Sequence, residues 1–403
     1  MPRDVLKDAF DRTRIVGAAV SDYPETPDMT TLDHHLLAIG KALDDAGLEL
    51  TDVDGLIIAA GGGMGGLSPM GLAEYLGIRP TFVDGLSVGG SSYVYHAARA
   101  ALAVGTGLCE VAVVATGQKG KTGGRPGRGI RGGGGGGAPP QGSGSFFWDS
   151  LAGLPLIGAY AMAATRHMHT YGTTSEDLAE IAVAARYHAT MNPKAQFQDP
   201  ITVDDVLSSR WIAEPLHLLD CCVVSDGGGA YVVTTADRAK DLKKSPVKML
   251  GYGERIGHAG IGTMPDFTQT AAADTGKMAF DMAGLKPGDI DCAELYDSFT
   301  ITVALLLEDL GFCEKGEVGR FAREHLRVGG PLPINTDGGG LSAVHPGMRG
   351  MFLMTEAVRQ VRGVAVAGGP SAVARDGGVD TCLVHGVGGQ LSSHATLIVG
   401  KDA

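Results

Sequence analysis

Two hydrophobic rhythms alternate along this chain. Short apolar runs stand at Gly55-Leu56-Ile57-Ile58-Ala59-Ala60 and Val111-Ala112-Val113-Val114-Ala115. Matching runs follow at Cys292-Ala293-Glu294-Leu295-Tyr296 and Thr381-Cys382-Leu383-Val384. Their length suits strands, and their near-continuous apolar character suits strands covered on both faces. Between them lie helical patterns, one through Ala97-Ala98-Arg99-Ala100-Ala101 and one through Glu356-Ala357-Val358-Arg359. The first is opened by Gly89-Gly90-Ser91-Ser92, the second by Pro346-Gly347-Met348-Arg349-Gly350. Strands alternating with helices predict a buried sheet with helices on both sides.

The pattern also repeats itself. Residues 42–54 read ALDDAGLELTDVD and residues 279–291 read AFDMAGLKPGDID, identical at seven of thirteen positions. The identities are Ala42/Ala279, Asp44/Asp281, Ala46/Ala283, Gly47/Gly284, Leu48/Leu285, Asp52/Asp289 and Asp54/Asp291. Each copy reads as the end of an amphipathic helix, a glycine stop and a short loop into a strand. Two copies related by a pseudo-twofold axis predict a layered αβαβα body. The expected division is a first half in residues 1–117 and 216–245, a second half in 246–403, and an inserted loop domain in 118–215. The insertion begins with Lys119, Lys121, Arg125, Arg128 and Arg131 among glycines, then runs Gly132 to Gly137, which cannot pack a core. Helical patterns follow at 161–171 and 175–191, the latter with Ser175 as its cap. Two readings stand for the insertion: a cover over an active site, or a surface segment without a ligand.

A length of 403 residues suits two fused α/β halves. The 63 glycines imply many tight turns, since there is no collagen-like period. A net charge of -12 argues against nucleic acid as a partner, so an anionic ligand must meet a local basic patch. The six cysteines show neither a CxxC pair nor zinc spacing and read as reduced, buried thiols; Cys221, Cys222, Cys292 and Cys382 are expected in the core. No metal site is expected. The start Met1-Pro2-Arg3-Asp4 leads into no apolar run, and no stretch of 18 apolar residues occurs. Those features predict a cytoplasmic protein without a signal peptide or membrane insertion.

The segment Asn335-Thr336-Asp337-Gly338-Gly339-Gly340-Leu341-Ser342-Ala343-Val344-His345-Pro346-Gly347, together with the duplication, resembles the thiolase superfamily in its sterol-carrier-protein and lipid-transfer-protein type. Pro215 to Cys222, Ser225-Asp226-Gly227, Glu294 to Thr300 and His385-Gly386-Val387-Gly388-Gly389 carry the same resemblance, which spans nearly the whole chain. It implies four catalytic loops. The first holds a cysteine nucleophile before a Gly-Ser-Ser turn. Anchoring on Gly90-Ser91-Ser92 puts Ser87 in that place, and residues 83–92 contain no cysteine. The second loop holds Tyr296, followed by Asp297. His345 matches the histidine of the third, and His385 stands where the fourth has a second cysteine. Gly89, Gly90, Gly388 and Gly389 are the expected oxyanion and substrate turns, and Arg125, Arg128 and Arg131 are candidate contacts for CoA phosphates.

A thiol ionises readily at a helix start, whereas a serine hydroxyl needs a base before it attacks. Ser87 is therefore either a nucleophile served by His345 or a capping or substrate-contacting serine. Asp297 either orients Tyr296 or a histidine, or caps the following helix. Tyr296, His345 and His385 suffice for proton transfer and enolate stabilisation. The resemblance to cysteine-less steroid side-chain aldolases implies retro-aldol cleavage of a β-hydroxyacyl-CoA without an acyl-enzyme. Those aldolases carry a tyrosine where this chain has His345. Two alternatives stand beside it: a thiolase-like acyltransferase and a non-catalytic subunit of a multi-component acyltransferase. The implied ligand is an acyl-CoA, with coenzyme A part of the substrate and no covalent cofactor. The implied partners are a twin subunit in a homodimer and a separate zinc-ribbon/OB-fold protein.

Overall fold

A computed structural model describes residues 3–59, 67–123, 155–326, 330–364 and 379–402. Arg125, Arg128, Arg131 and the glycine run after them lie outside the described residues. Nine strands form one sheet: β1 (Thr13–Val20), β2 (Gly55–Ile58), β3 (Phe82–Asp84), β4 (Val111–Lys119), β5 (Asp226–Thr235), β6 (Val247–Ile256), β7 (Cys292–Leu295), β8 (Thr381–Gly388) and β9 (Ser393–Lys401). Their order is β3-β2-β4-β5-β1-β6-β9-β8-β7. In the first half β3, β2 and β4 are parallel, and β5 and β1 are antiparallel additions. In the second half β7 and β8 are parallel, and β9 and β6 are antiparallel additions. The halves meet at a seam between β1 and β6, through the pair Ile15↔Val247.

Helices among the described residues include α1 (Thr31–Ala46), α2 (Ser92–Gly105), α3 (Leu156–Tyr171), α4 (Ser175–Thr190), α5 (Ala272–Ala283), α6 (Thr300–Asp309) and α7 (Gly350–Val361). Strand alternation sorts the core into layers. Leu56, Ile58, Val113 and Val232 point to Ala38, Ile39, Ala42 and Leu43 of α1 on one face. Ile57, Val114, Tyr231 and Val233 point the other way, into a larger core with Val94, Ala97 and Ala101 of α2 and Met351, Leu353 and Met354 of α7. Helices α2 and α7 thus form the middle layer, with α1 outside the first half and α5 outside the second.

The duplicated residues do the same jobs in both copies. A Cβ on Gly17 of β1 would lie 2.1 Å from the Ala42 carbonyl and 3.0 Å from Ala46 Cβ; on Gly251 of β6 it would lie 2.1 Å from the Ala279 carbonyl and 2.9 Å from Ala283 Cβ. Gly47 and Gly284 end α1 and α5 in the left-handed conformation, at φ 76° and 69°. Asp52 accepts from Glu49 N at 2.8 Å and Asp289 from Lys286 N at 2.8 Å. Asp54 accepts from Glu110 N and Val111 N, and Asp291 from Asp380 N and Thr381 N, so each stitches adjacent parallel strands.

Within the insertion, α3 and α4 are followed by a short helix (Val203–Ser208) and the strand Trp211–Ala213, which forms a hairpin with Leu216–His217 just beyond it. The cap of α4 is Thr174, one residue before the expected Ser175. Thr174 accepts from Asp177 N, and the Asp177 carboxylate accepts from Thr174 N in return. This reciprocal capping box outcompetes a lone serine.

Candidate active site

Tyr296 leaves the end of β7 beside β8, in a register that pairs Leu295 with His385. Paired residues of parallel strands share a face, so Tyr296 shares its face with Gly386. That face looks into the middle layer, where a Cβ on Gly386 would meet Ser91 Cα at 2.8 Å and Val94 at 3.0 Å. The Tyr296 ring lies on Gly90, where a Cβ would come within 2.3 Å of Cε2, Cζ and the hydroxyl oxygen. The backbone N–H of Arg349, which caps the start of α7, is directed at that oxygen at 3.4 Å. His345 meets the same ring edge-on, at a centroid distance of 5.6 Å and an interplanar angle of 84°.

The imidazole of His345 is positioned through its backbone. His345 N–H donates to Ser225 Oγ at 2.8 Å, and Ser225 N–H donates to the His345 carbonyl at 3.3 Å. Its Nε2 is buried with no hydrogen-bond partner among the described residues, although the residue keeps a partly exposed edge. Burial and the positive charge of Arg349 lower its pKa to about 4. Burial pushes the Tyr296 phenol far above its ordinary range, against the pull of the Arg349 N–H. Near neutral pH the pair is a neutral imidazole with an open nitrogen and a protonated phenol. Such a pair can accept one proton and donate one hydrogen bond.

Asp297 is fully buried and does not cap the following helix; its bonds go instead to the segment that leads to His345. It accepts from Gly340 N at 2.8 Å and Leu341 N at 3.1 Å, and it faces Arg349 Nε at 3.1 Å. Burial raises its carboxyl to about 6, opposed by Arg349. It anchors the glycine segment that carries His345.

His385 is brought to the opposite side of the sheet. Its Nδ1 is 2.8 Å from Thr396 Oγ1, its Nε2 is 3.1 Å from His394 Nδ1, and Thr396 in turn meets Thr275 of α5. The two-residue period of β8 makes this unavoidable once Gly386 faces inward. Ser87 is exposed, whereas Ser91 and Ser92 are buried in the turn: Ser91 Oγ is 2.7 Å from Ser393 Oγ, and Ser92 Oγ accepts from Val88 N at 2.9 Å. The residue against the phenol is Gly90, three positions beyond Ser87. The glycine turns do come together, since a Cβ on Gly89 would lie 2.8 Å from Gly389 N and 2.9 Å from Gly388 Cα.

Two groups at the site, Arg349 and Tyr160, were given no role by the sequence, and a third, Cys222, stands differently from its expectation. Arg349 is entirely buried beside the site. Tyr160 of α3 donates to the Gly389 carbonyl at 3.2 Å and packs on Phe299 at 4.4 Å. Cys222 is partly exposed rather than fully in the core, and burial pushes its thiol far above its ordinary range, so it stands near the site as a neutral thiol. The insertion also grips the His345 segment: Arg186 Nε of α4 donates to Ser342 Oγ at 2.8 Å, and Asn192 Nδ2 donates to the Asp337 carbonyl at 2.8 Å. Among the described residues no His/Cys/Asp/Glu group could hold a metal ion, and no helix is long and apolar enough to cross a membrane.

Residues 253–401 match the family described as "Thiolase C-terminal domain-like". Over 366 residues the chain is 38% identical to the steroid side-chain-cleaving aldolase of Thermomonospora curvata, covering 87% of this chain and 90% of that one. The chain belongs to the thiolase superfamily. Within this superfamily it is also 38% identical over 368 residues to the 17-hydroxy-3-oxo-4-pregnene-20-carboxyl-CoA lyase of Mycobacterium tuberculosis, covering 87% and 92% of the two chains. Among solved structures, an Ltp2-ChsH2(DUF35) aldolase aligns with a TM-score of 0.85 at 35% identity over 97% of this chain and 98% of that one. Human mitochondrial 3-ketoacyl-CoA thiolase shares the fold, with a TM-score of 0.71 at 15% identity over 98% of this chain and 100% of that one.

Proposed function

We propose that this thiolase-superfamily chain cleaves the carbon–carbon bond of a β-hydroxyacyl-CoA by a retro-aldol reaction, with Tyr296 and His345 at the reacting atoms. One observation carries the reading: a neutral imidazole with an unpartnered Nε2 faces a phenol, over a glycine that offers no nucleophile. His345 Nε2 takes the proton of the β-hydroxyl. The Cα–Cβ bond breaks, its electron pair passes to the thioester as an enolate, and a ketone leaves. The Tyr296 hydroxyl donates to the enolate oxygen, and the imidazolium returns its proton to Cα. Substrate in and ketone plus shortened acyl-CoA out balance without an acyl-enzyme.

The names of the relatives support a steroid side chain as the acyl group and a CoA thioester as its carrier. The aldolase named with a DUF35 component supports a separate protein partner. A homodimer and a cytoplasmic setting complete the reading. Incubation with a steroid acyl-CoA bearing a tertiary β-hydroxyl is expected to release ketone and shortened acyl-CoA in equal amounts. Acetyl exchange with free CoA and no ketone would assign acyl transfer instead. Silence in both assays, with and without a DUF35-type partner, would leave the non-catalytic reading.

A further inference from the structure

We propose that Arg349 is the positioning residue of this site: it locks the Tyr296 loop, the His345 segment and the start of α7 into one piece and supplies a fixed positive charge beside His345. The inference rests on the retro-aldol reading and names a group it does not use. Arg349 is fully buried yet spans three pieces of chain. Its Nε lies 3.1 Å from Asp297 Oδ1, its Nη2 lies 2.5 Å from Asp337 Oδ1, and its Nη1 donates to the Val344 carbonyl at 2.9 Å. Its own N–H is the one directed at the Tyr296 oxygen. A planar guanidinium can hold two carboxylates and a carbonyl at once; an ammonium is a single point charge.

The charges around this cation come from several elements. Asp297 and Tyr296 follow β7, Asp337 and His345 belong to the glycine segment, Glu294 lies in β7 and Glu356 in α7, and Cys222 precedes β5. Thr336 Oγ1 lies 3.0 Å from Glu294 and 2.8 Å from Glu356, and burial pushes both carboxyls up, toward their neutral forms. Asp297 and Asp337 are therefore the close partners of Arg349. Burial already disfavours a proton on His345, and the nearby guanidinium adds to this by opposing a second positive charge, so the imidazole stays free to act as a base.

The test compares Arg349→Gln, Arg349→Lys and Asp337→Asn in the full-length protein by the pH profile of kcat/KM. Arg349→Gln is expected to move the acid limb up by about one pH unit and to lower kcat by about tenfold or more. Arg349→Lys keeps the charge, so its acid limb stays in place while kcat falls by about tenfold. Asp337→Asn removes a counter-charge, so its limb moves down. If Arg349→Gln fails to fold, the lysine and asparagine variants still decide by the directions of their limbs. Identical limbs in all variants would reduce Arg349 to a structural ion pair and overturn the inference. If the wild-type protein releases no ketone, the retro-aldol reading fails, and NMR titration of His345 in wild type and variants then decides on Arg349: an upward shift in Arg349→Gln alone upholds it, and no shift overturns it.

Discussion

At the scale of single residues, the site is a matter of which side of a strand a side chain leaves. Tyr296 reaches Gly90 and His345 because it shares a face with Gly386; His385, one position earlier in β8, faces Thr396 and the outer helix. Tyr296→Phe keeps the packing and loses the hydroxyl. It is expected to lower kcat by about 100-fold with little change in thermal stability, as measured by product release and calorimetry. His345→Gln is expected to lose a similar factor. With the His345 pKa near 4, the limb that His345 contributes to wild-type kcat/KM should lie below about pH 5, and that limb should vanish in the glutamine variant. Tyr296 and His345 were legible because each sits in a recognisable loop motif. The face of His385 was legible in principle, from the period of its strand; taking it as a replacement for cysteine overrode that period. Arg349 was not legible, because its meaning comes from Asp297 and Asp337, which meet it only after folding.

At the scale of elements, the helix–strand unit is built on contact without side chains. Gly17 and Gly251 let α1 and α5 lie directly on their strands, with the Ala42 and Ala279 carbonyls where a Cβ would stand. Gly17→Ala and Gly251→Ala are each expected to destabilise by about 2–3 kcal/mol in denaturant unfolding. Gly40→Ala, in the same α1 with nothing within 4 Å of the new carbon, should instead stabilise by about 0.5–1 kcal/mol. Strands β2, β4, β7 and β8, the middle helices and the repeat followed directly from apolar runs and glycine stops, because those features act locally; β1, β3, β5, β6 and β9 were not read from the sequence. The cap of α4 was missed by one residue, since the choice between Thr174 and Ser175 depends on the answering carboxylate of Asp177.

At the scale of the whole molecule, the two ends of the sheet differ. The β7 end is covered by a parallel bridge from Ile334 to Ala293, whereas β3 ends the sheet with Val83 48% exposed. Met70 and Tyr75, on the helix Pro69–Leu76 that packs on the neighbouring β2, are 80% and 67% exposed. An edge of that kind favours pairing with a twin. Light scattering should give twice the 41.4 kDa chain mass, and Val83→Lys should shift it toward one; a monomeric wild type would refute the arrangement. The seam at the middle of the sheet has a different consequence. Gly17 and Gly251 are counterparts, so Thr13 is the counterpart of Val247 and Ile15 of Met249. Ile15 pairs with Val247 in antiparallel fashion, so exchanging the two copies maps this contact onto the equivalent pairing of Thr13 with Met249. A join that maps onto itself when the halves are exchanged is isologous, so one chain makes across its own middle the kind of contact that two identical subunits make across a two-fold axis.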